Sequence, residues 1–232
     1  MVVDESIHLQ YLQAMGIEVW KTRHGQVEIS VAKSSNEKQT ALIIPDKADY
    51  WTDLKQEVSL CQNCRLCEAR TQTVFGSGNQ QADWMLIGEA PGQTEDLEGK
   101  PFVGRAGQLL TEMIRALGLE REQVFITNIL KCRPPGNRDP KAEEMAACSD
   151  FLQRQIAHVQ PKIILAVGRI AAQNLLKTQE PLAKLRGIVH KLDNTPLIVS
   201  YHPAYLLRSL LEKRKAWDDL QFAIRAYKEL KE

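Results

Sequence analysis

No apolar run in this chain approaches the roughly 20 residues that span a bilayer. The first residues, MVVDESIHLQ, are partly acidic and lack the apolar segment of a secretory signal. We therefore expect a cytoplasmic protein with no membrane partner. An excess of one charge is also missing, since 30 Lys and Arg residues are balanced by 29 Asp and Glu residues. Net charge thus neither favours nor excludes a polyanionic partner.

Nucleotide phosphate loops are missing too. The chain has no G-x-x-x-x-G-K-S/T sequence, and the glycines between Gly88 and Gly107 do not form G-x-G-x-x-G. This segment, GEAPGQTEDLEGKPFVGRAG, instead places a carboxylate, a glycine-lined turn and an aromatic ring in one loop. The loop follows the apolar run WMLI and precedes a helical pattern, which is where open α/β sheets place their sites. A plain turn is the alternative.

From residue 49 onward, continuous apolar stretches are separated by segments with helical periodicity. The predicted strands are 84–88, 124–130, 163–168 and 197–201, and the predicted helices are 108–117, 141–158, 169–177 and 211–230. Strands buried on both faces have this continuous apolar character. The pattern therefore predicts an α/β fold, a three-layer α/β/α sandwich around a four-stranded parallel sheet. Residues 1–45 have the composition of an appendage and linker, and residues 46–232 form the main domain.

The carboxyl ends of parallel strands lie along one edge of a sheet. Glu89, Asn128, Lys131, Gly168 and His202 follow or end the four predicted strands. A carboxylate, an amide and an imidazole are therefore expected in one cleft, which suits the binding and cleavage of a polar planar group.

The five cysteines are poor candidates for disulfides in a protein without an export signal. Cys61 and Cys64 form a C-x2-C pair, and Cys67, Cys132 and Cys148 follow as single residues. Zinc sites usually have a second tight pair, whereas single cysteines that complete a C-x2-C pair suit a [4Fe–4S] cluster at least as well. Buried structural thiols are the alternative.

Basic residues are concentrated in two segments. The first holds Lys131, Arg133, Arg138 and Lys141, and the second Arg208, Lys213, Arg214 and Lys215. Such clusters favour contacts with phosphate, although ordinary solvated charge explains either one equally well.

Three motifs and the cysteine set together resemble one family. The motifs are GEAPGQTEDLEGKPFVGRAG, ITNILKCRPPGNR at residues 126–138 and HPAYLLR at residues 202–208. Over about residues 50–228 the chain resembles the family 4 uracil-DNA glycosylases, the iron–sulfur branch of that superfamily. The resemblance implies a DNA-repair enzyme that flips uracil out of DNA and hydrolyses its N-glycosidic bond, leaving an abasic site. It also implies a [4Fe–4S] cluster on Cys61, Cys64, Cys132 and Cys148, with Cys67 either a spare thiol or a swapped third ligand.

The resemblance assigns four positions to uracil recognition. Gly88 belongs to the uracil-binding set, and Phe102 is expected to stack on the base. Asn128 is expected to accept from uracil N3–H and donate to O4, a pattern that cytosine reverses. Glu95 occupies the position that crowds the C5 edge, where thymine carries its methyl group.

Catalysis and DNA binding are assigned in the same way. His202 is expected to bind uracil and donate a hydrogen bond to O2 as negative charge develops there, and Glu89 to orient water or stabilise the cationic sugar. Leu206 and Leu207 match a loop that penetrates DNA, with Arg208 as a phosphate contact. Arg133 and Arg138 complete the expected DNA-binding set.

Residues 8–20 resemble the start of the psi subunit of the bacterial polymerase III clamp loader, which implies a replisome contact, with packing against the main domain as the alternative. We expect a monomer that acts on uracil-containing DNA. A non-catalytic DNA-binding or damage-sensing module is the alternative function. The covalent uracil-trapping relatives are a weaker match, because their basic, His-bearing insertion is missing after Cys132.

Overall fold

The computed structural model describes residues 47–230. The predicted appendage of residues 1–45 lies outside them, so its replisome contact stays a prediction, as does the monomeric state. Within the described range, no helix combines the length and the apolar character needed to cross a membrane.

Helices and strands alternate along the described chain. In order they are α1 Lys47–Leu60, α2 Leu66–Ala69, β1 Ser77–Gly78, β2 Trp84–Gly88, α3 Gln93–Glu98, α4 Arg105–Ala116, β3 Phe125–Asn128, α5 Ala142–Val159, β4 Ile163–Val167, α6 Arg169–Leu176, α7 Leu182–Leu185, β5 His190–Leu192, β6 Thr195–Ser200, α8 Pro203–Leu206 and α9 Lys213–Glu229. Short 3-10 helices span Arg121–Gln123, Pro135–Asn137 and Leu210–Glu212. The four long predicted helices correspond to α4, α5, α6 and α9.

The strands form one six-stranded sheet in the order β1-β3-β2-β4-β6-β5. The four central strands are parallel, as predicted, and they are the four that the sequence indicated. β1 and β5 add antiparallel edges that the sequence analysis missed. They are only two and three residues long and are partly exposed, so they lack the apolar runs by which the central strands were found.

Both faces of the sheet are covered. Along β2, Met85 and Ile87 belong to one core cluster and Trp84 and Leu86 to the other, as the two-residue period of a strand requires. Helices α1, α5 and α6 contribute to the first cluster, and α4 and α9 to the second. Because the central strands are buried on both faces, their sequences are continuously apolar, and the predicted three-layer sandwich is confirmed.

Candidate active site

A cleft of about 660 Å³ opens at the carboxyl edge of the sheet. It lies between the loops that follow β2, β3, β4 and β6. The predicted residues Glu89, Glu95, Phe102, Asn128 and His202 all line it. The side chains that the parallel topology was expected to bring together therefore do lie in one cleft. The register of β2 and β3 pairs Gly88 directly with Asn128.

Gly88 lies beneath two of these side chains. A Cβ atom at this position would lie 2.4 Å from Phe102 Cζ and 2.5 Å from Asn128 Oδ1. Only glycine leaves room for both, so Gly88 acts by permitting this close approach.

Phe102 is buried and has a φ of 52°, in the left-handed region that residues other than glycine rarely adopt. Its loop is held by Glu95, whose Oε1 accepts hydrogen bonds of 2.9 Å from both Val103 N–H and Gly104 N–H. Glu95 therefore anchors the segment that presents the aromatic ring to the cleft. The sequence analysis missed this contact, because the two partners are main-chain groups eight and nine residues further along the chain.

Asn128 ends β3 and is 1% exposed. Its Oδ1 has no hydrogen-bond partner within residues 47–230. An unsatisfied buried acceptor costs about 1–3 kcal/mol, so such a group is retained where a ligand supplies the donor. Asn128 therefore lines the cleft and carries a buried, unsatisfied acceptor.

His202 is the residue immediately before α8, and its Nδ1 accepts a 3.2 Å hydrogen bond from Ala204 N–H. Burial lowers the pKa of His202 to about 4, and the positive charge of Arg208 acts in the same direction. The ring is thus neutral at pH 7, and because Nδ1 accepts, its proton is on Nε2. The ring centroid lies 5.7 Å from that of Phe102. His202 is a neutral donor beside the aromatic ring.

Glu89 has an elevated pKa. Burial, with a further contribution from the negative charge of Asp139, raises the pKa of Glu89 to about 7, and Arg169 opposes the shift. Asp139 and Arg169 line the same cleft and form a 3.0 Å ion pair. The sequence analysis missed both, although Arg169 directly follows Gly168 at the predicted end of β4.

The four cysteines expected to bind a cluster line a separate small cavity, together with Arg70 and Lys131. Three N–H groups point at their sulfur atoms: Arg70 Nη1 at 3.0 Å from Cys132, the Lys131 amide at 3.3 Å from Cys148, and the Asn63 amide at 3.5 Å from Cys61. Burial raises the pKa of the Cys132 thiol to about 11, so binding of a metal centre must displace its proton.

No group of three or more His, Cys, Asp or Glu side chains that could hold a metal ion is found in residues 47–230. Four cysteines around a common cavity, with N–H donors directed at sulfur, are the environment in which proteins hold iron–sulfur clusters. Cys67 does not line this cavity.

The uracil DNA glycosylase superfamily model matches residues 75–221. A type-4 uracil-DNA glycosylase of Archaeoglobus fulgidus is 45% identical over 163 residues, which cover 67% of this chain and 82% of that protein. The chain belongs to the type-4 uracil-DNA glycosylase family. The type-4 glycosylase of Saccharolobus solfataricus is 48% identical, over 66% of this chain and 76% of its own. A type-5 glycosylase of Pyrobaculum aerophilum is 32% identical, over 56% and 64%.

In this type-4 glycosylase, the loop after His202 differs from the expected arrangement. Leu206 is 1% exposed and packs in the core, so its side chain is not presented at the surface, and its role in penetrating DNA stays a prediction. Pro203 and Leu206 are three residues apart on α8, which turns both side chains inward. Leu207 is half-buried, and Arg208 is exposed at the cleft.

The side chains of the first basic segment of the glycosylase are also less available for contacts with phosphate than predicted. Lys131 is 1% exposed, so it is not a phosphate contact. Arg138 lines the cleft but donates to both carboxylate oxygens of Glu144, which holds the loop after β3 onto α5. Arg133 Nε donates to Asn137.

Proposed function

We propose that this protein flips uracil out of DNA and hydrolyses the N-glycosidic bond, leaving an abasic site. The observation that carries the proposal is the pairing of two groups in one cleft: the unsatisfied Oδ1 of Asn128 and the neutral, Nε2-protonated ring of His202. The Asn128 oxygen can accept a hydrogen bond from uracil N3–H, and the His202 N–H can donate one to uracil O2. The names of the type-4 relatives agree with this assignment.

Recognition in this proposal depends on three side chains. Phe102 stacks on the flipped base, and Asn128 accepts from N3–H while its amide donates to O4. Glu95 lies beside the C5 edge and, through its two main-chain hydrogen bonds, keeps Phe102 in place.

Glu95→Gln retains an acceptor for those amides, so it should keep uracil excision. Stacking by Phe102 is measured as the binding of an abasic-site duplex together with free uracil. Because the variant keeps the acceptor that holds the Phe102 loop, weaker binding than in the wild type would contradict the anchoring role of Glu95.

Catalysis follows from the two titratable groups. Cleavage places positive charge on the sugar and negative charge on the leaving uracil. His202 donates to uracil O2, an interaction that strengthens as that charge develops. Glu89, once ionised, stabilises the cationic sugar and orients the attacking water. The C1′–N1 bond breaks and its electron pair leaves with uracil, the water forms the new C1′–O bond and gives its proton to Glu89, and the uracil anion takes a proton from solvent.

An alkali-cleavage assay tests the function directly. Anaerobically purified protein is incubated with an end-labelled oligonucleotide that contains one uracil, and abasic sites are then cleaved with alkali. Cleavage at the uracil, with none in a matched cytosine oligonucleotide, is expected. Binding without cleavage would identify the alternative, a non-catalytic DNA-binding module.

We also propose that Cys61, Cys64, Cys132 and Cys148 hold a [4Fe–4S] cluster, which would supply structural cross-links between the segment after α1, the loop after β3, and α5. Cys67→Ala is expected to keep about four irons and four acid-labile sulfides per chain. Cys148→Ala is expected to lose them. Zinc in place of iron, or cluster loss specific to Cys67→Ala, would contradict this ligand set.

Two strongly exposed apolar side chains lie just beyond the predicted loop. Leu210 is 64% and Leu211 91% exposed, and the basic residues Lys213, Arg214 and Lys215 follow them. We propose that Leu210 and Leu211 fill the gap left by the flipped nucleotide, with Arg208 on a phosphate. This arrangement places apolar side chains beside cations that suit a duplex.

Leu211→Ala is expected to lower excision from duplex DNA several-fold and to leave excision from single-stranded DNA unchanged, because only a duplex has a stack to refill. Single-turnover rates on the two substrates measure the difference. Ile188→Ala, at an exposed apolar residue outside the cleft lining, is the control. Equal losses on both substrates would remove Leu211 from this role.

The excision rate is expected to rise with pH through about 7, as Glu89 loses its proton. Because Asp139 helps to hold the pKa of Glu89 up, Asp139→Asn should move the rise to lower pH, and Arg169, freed from its ion pair, adds to that shift. Single-turnover rates across the pH range measure the midpoint.

Two variants complete the pH experiment. Glu89→Gln should remove the rise, and Asp193→Asn, at an exposed turn between β5 and β6, should leave it in place. If the excision rate of Glu89→Gln still rises with pH, the titration of another group causes the rise.

A further inference from the structure

Lys131 is a buried lysine between the cysteine cavity and the end of β3 that carries Asn128. Its ammonium donates three hydrogen bonds: 2.7 Å to Thr127 Oγ1, 2.8 Å to the main-chain oxygen of Asn128, and 2.6 Å to Gln155 Oε1. Its three N–H groups are therefore all used, two of them on the last two residues of β3.

The main chain of Lys131 extends this arrangement to the cysteines. Its amide donates to Cys148 Sγ at 3.3 Å, and its carbonyl accepts from Val74 N–H at 2.7 Å. Lys131 also immediately precedes Cys132 in the chain. One residue thus contacts a cysteine sulfur through its backbone and Asn128 through its side chain.

The opposite side of this segment is fixed to the catalytic loop. The amides of Ile129 and Leu130 donate to the carbonyls of Gly88 and Glu89, at 2.9 and 3.0 Å. The orientation of Asn128 is consequently set by main-chain bonds on one side and by the Lys131 ammonium on the other.

We propose that Lys131 is a positioning residue that couples the cysteine site to uracil recognition by holding the end of β3, and with it Asn128, in register with the cleft. This inference rests on the proposed function and its cofactor. Its ammonium does not touch the base and acts through Asn128.

Lys131→Met, which keeps an unbranched chain and removes the charge and all three donors, tests the coupling. We expect the purified variant to retain its iron and sulfide. Its cluster reduction potential should become more negative, because a nearby positive charge is lost. Uracil excision should fall roughly 10- to 100-fold, the usual cost of removing a group that orients a site residue. Affinity for undamaged duplex should stay unchanged.

Lys184→Met removes an exposed lysine in an ion pair with Glu180 and is the matched control. Wild-type excision by Lys131→Met, with the cluster retained, would overturn the inference. The wild-type protein separates the two questions, since its own failure to excise uracil would overturn the proposed function instead.

If Lys131→Met loses its cluster, Gln155→Met is used to test the coupling instead. This variant keeps the charge of Lys131 and removes one acceptor that fixes the ammonium. A lower excision rate with iron content and melting temperature near wild type supports the coupling. Wild-type excision by Gln155→Met would then overturn it.

Discussion

Replacing His202 by alanine is expected to lower the single-turnover rate of uracil excision by roughly 100-fold or more, while the affinity for uracil-containing DNA changes little. The side chain donates from Nε2, since Nδ1 accepts from Ala204 N–H, and its bond to uracil O2 strengthens only as cleavage proceeds. Removing one such preorganised donor typically costs about 3–4 kcal/mol in the transition state. Rapid-quench rates and electrophoretic binding, measured on the same variant, separate the two effects.

His190→Ala is the matched control, because that imidazole lies on β5 and bonds to the Leu185 carbonyl outside the cleft. With a pKa of about 4, His202 should contribute no rise or fall in rate between pH 6 and 8. A collapse of affinity at an unchanged rate would make His202 a docking residue.

The sequence was sufficient to locate the centre of the fold and most of the cleft. Four strands buried on both faces have continuous apolar sequences, and their parallel order places Glu89, Asn128 and His202 at one edge. Two edge strands were missed because two or three half-exposed residues carry no such pattern.

The remaining differences arise from tertiary contacts that spacing does not encode. Leu206 and Leu211 are equally apolar in sequence, yet the first packs in the core and the second is exposed. Lys131 belongs to a basic segment by composition, but its Nζ atom donates hydrogen bonds to three buried oxygen atoms. Burial raises the pKa of Glu89, and Asp139, which is distant in sequence and reaches the cleft through the loop after β3, raises it further. Each depends on which groups the fold places nearby.

Asn128→Asp is expected to change which base is excised, in addition to reducing the rate on uracil. Asn128 Oδ1 has no partner in the described residues, and in the proposed complex it accepts from uracil N3–H while the NH2 group donates to O4. A carboxylate loses the donor that O4 requires, whereas its oxygens accept from the N4 amino group of cytosine, and a protonated carboxyl donates to cytosine N3. Sites built around such hydrogen bonds discriminate by factors on the order of 10⁴. The ratio of uracil to cytosine excision should therefore fall by a large part of that factor.

The measurement compares single-turnover excision of uracil and cytosine from otherwise identical oligonucleotides. Asn79→Asp, at an exposed turn where Oδ1 accepts from Gln81 N–H, makes the same chemical change away from the cleft and should keep the wild-type ratio. A uniform loss on both bases would mean that Asn128 only supports the fold at the end of β3. A fallen ratio with cytosine excision above the wild-type level requires that the side chain contact the base, because a purely structural defect lowers both rates together.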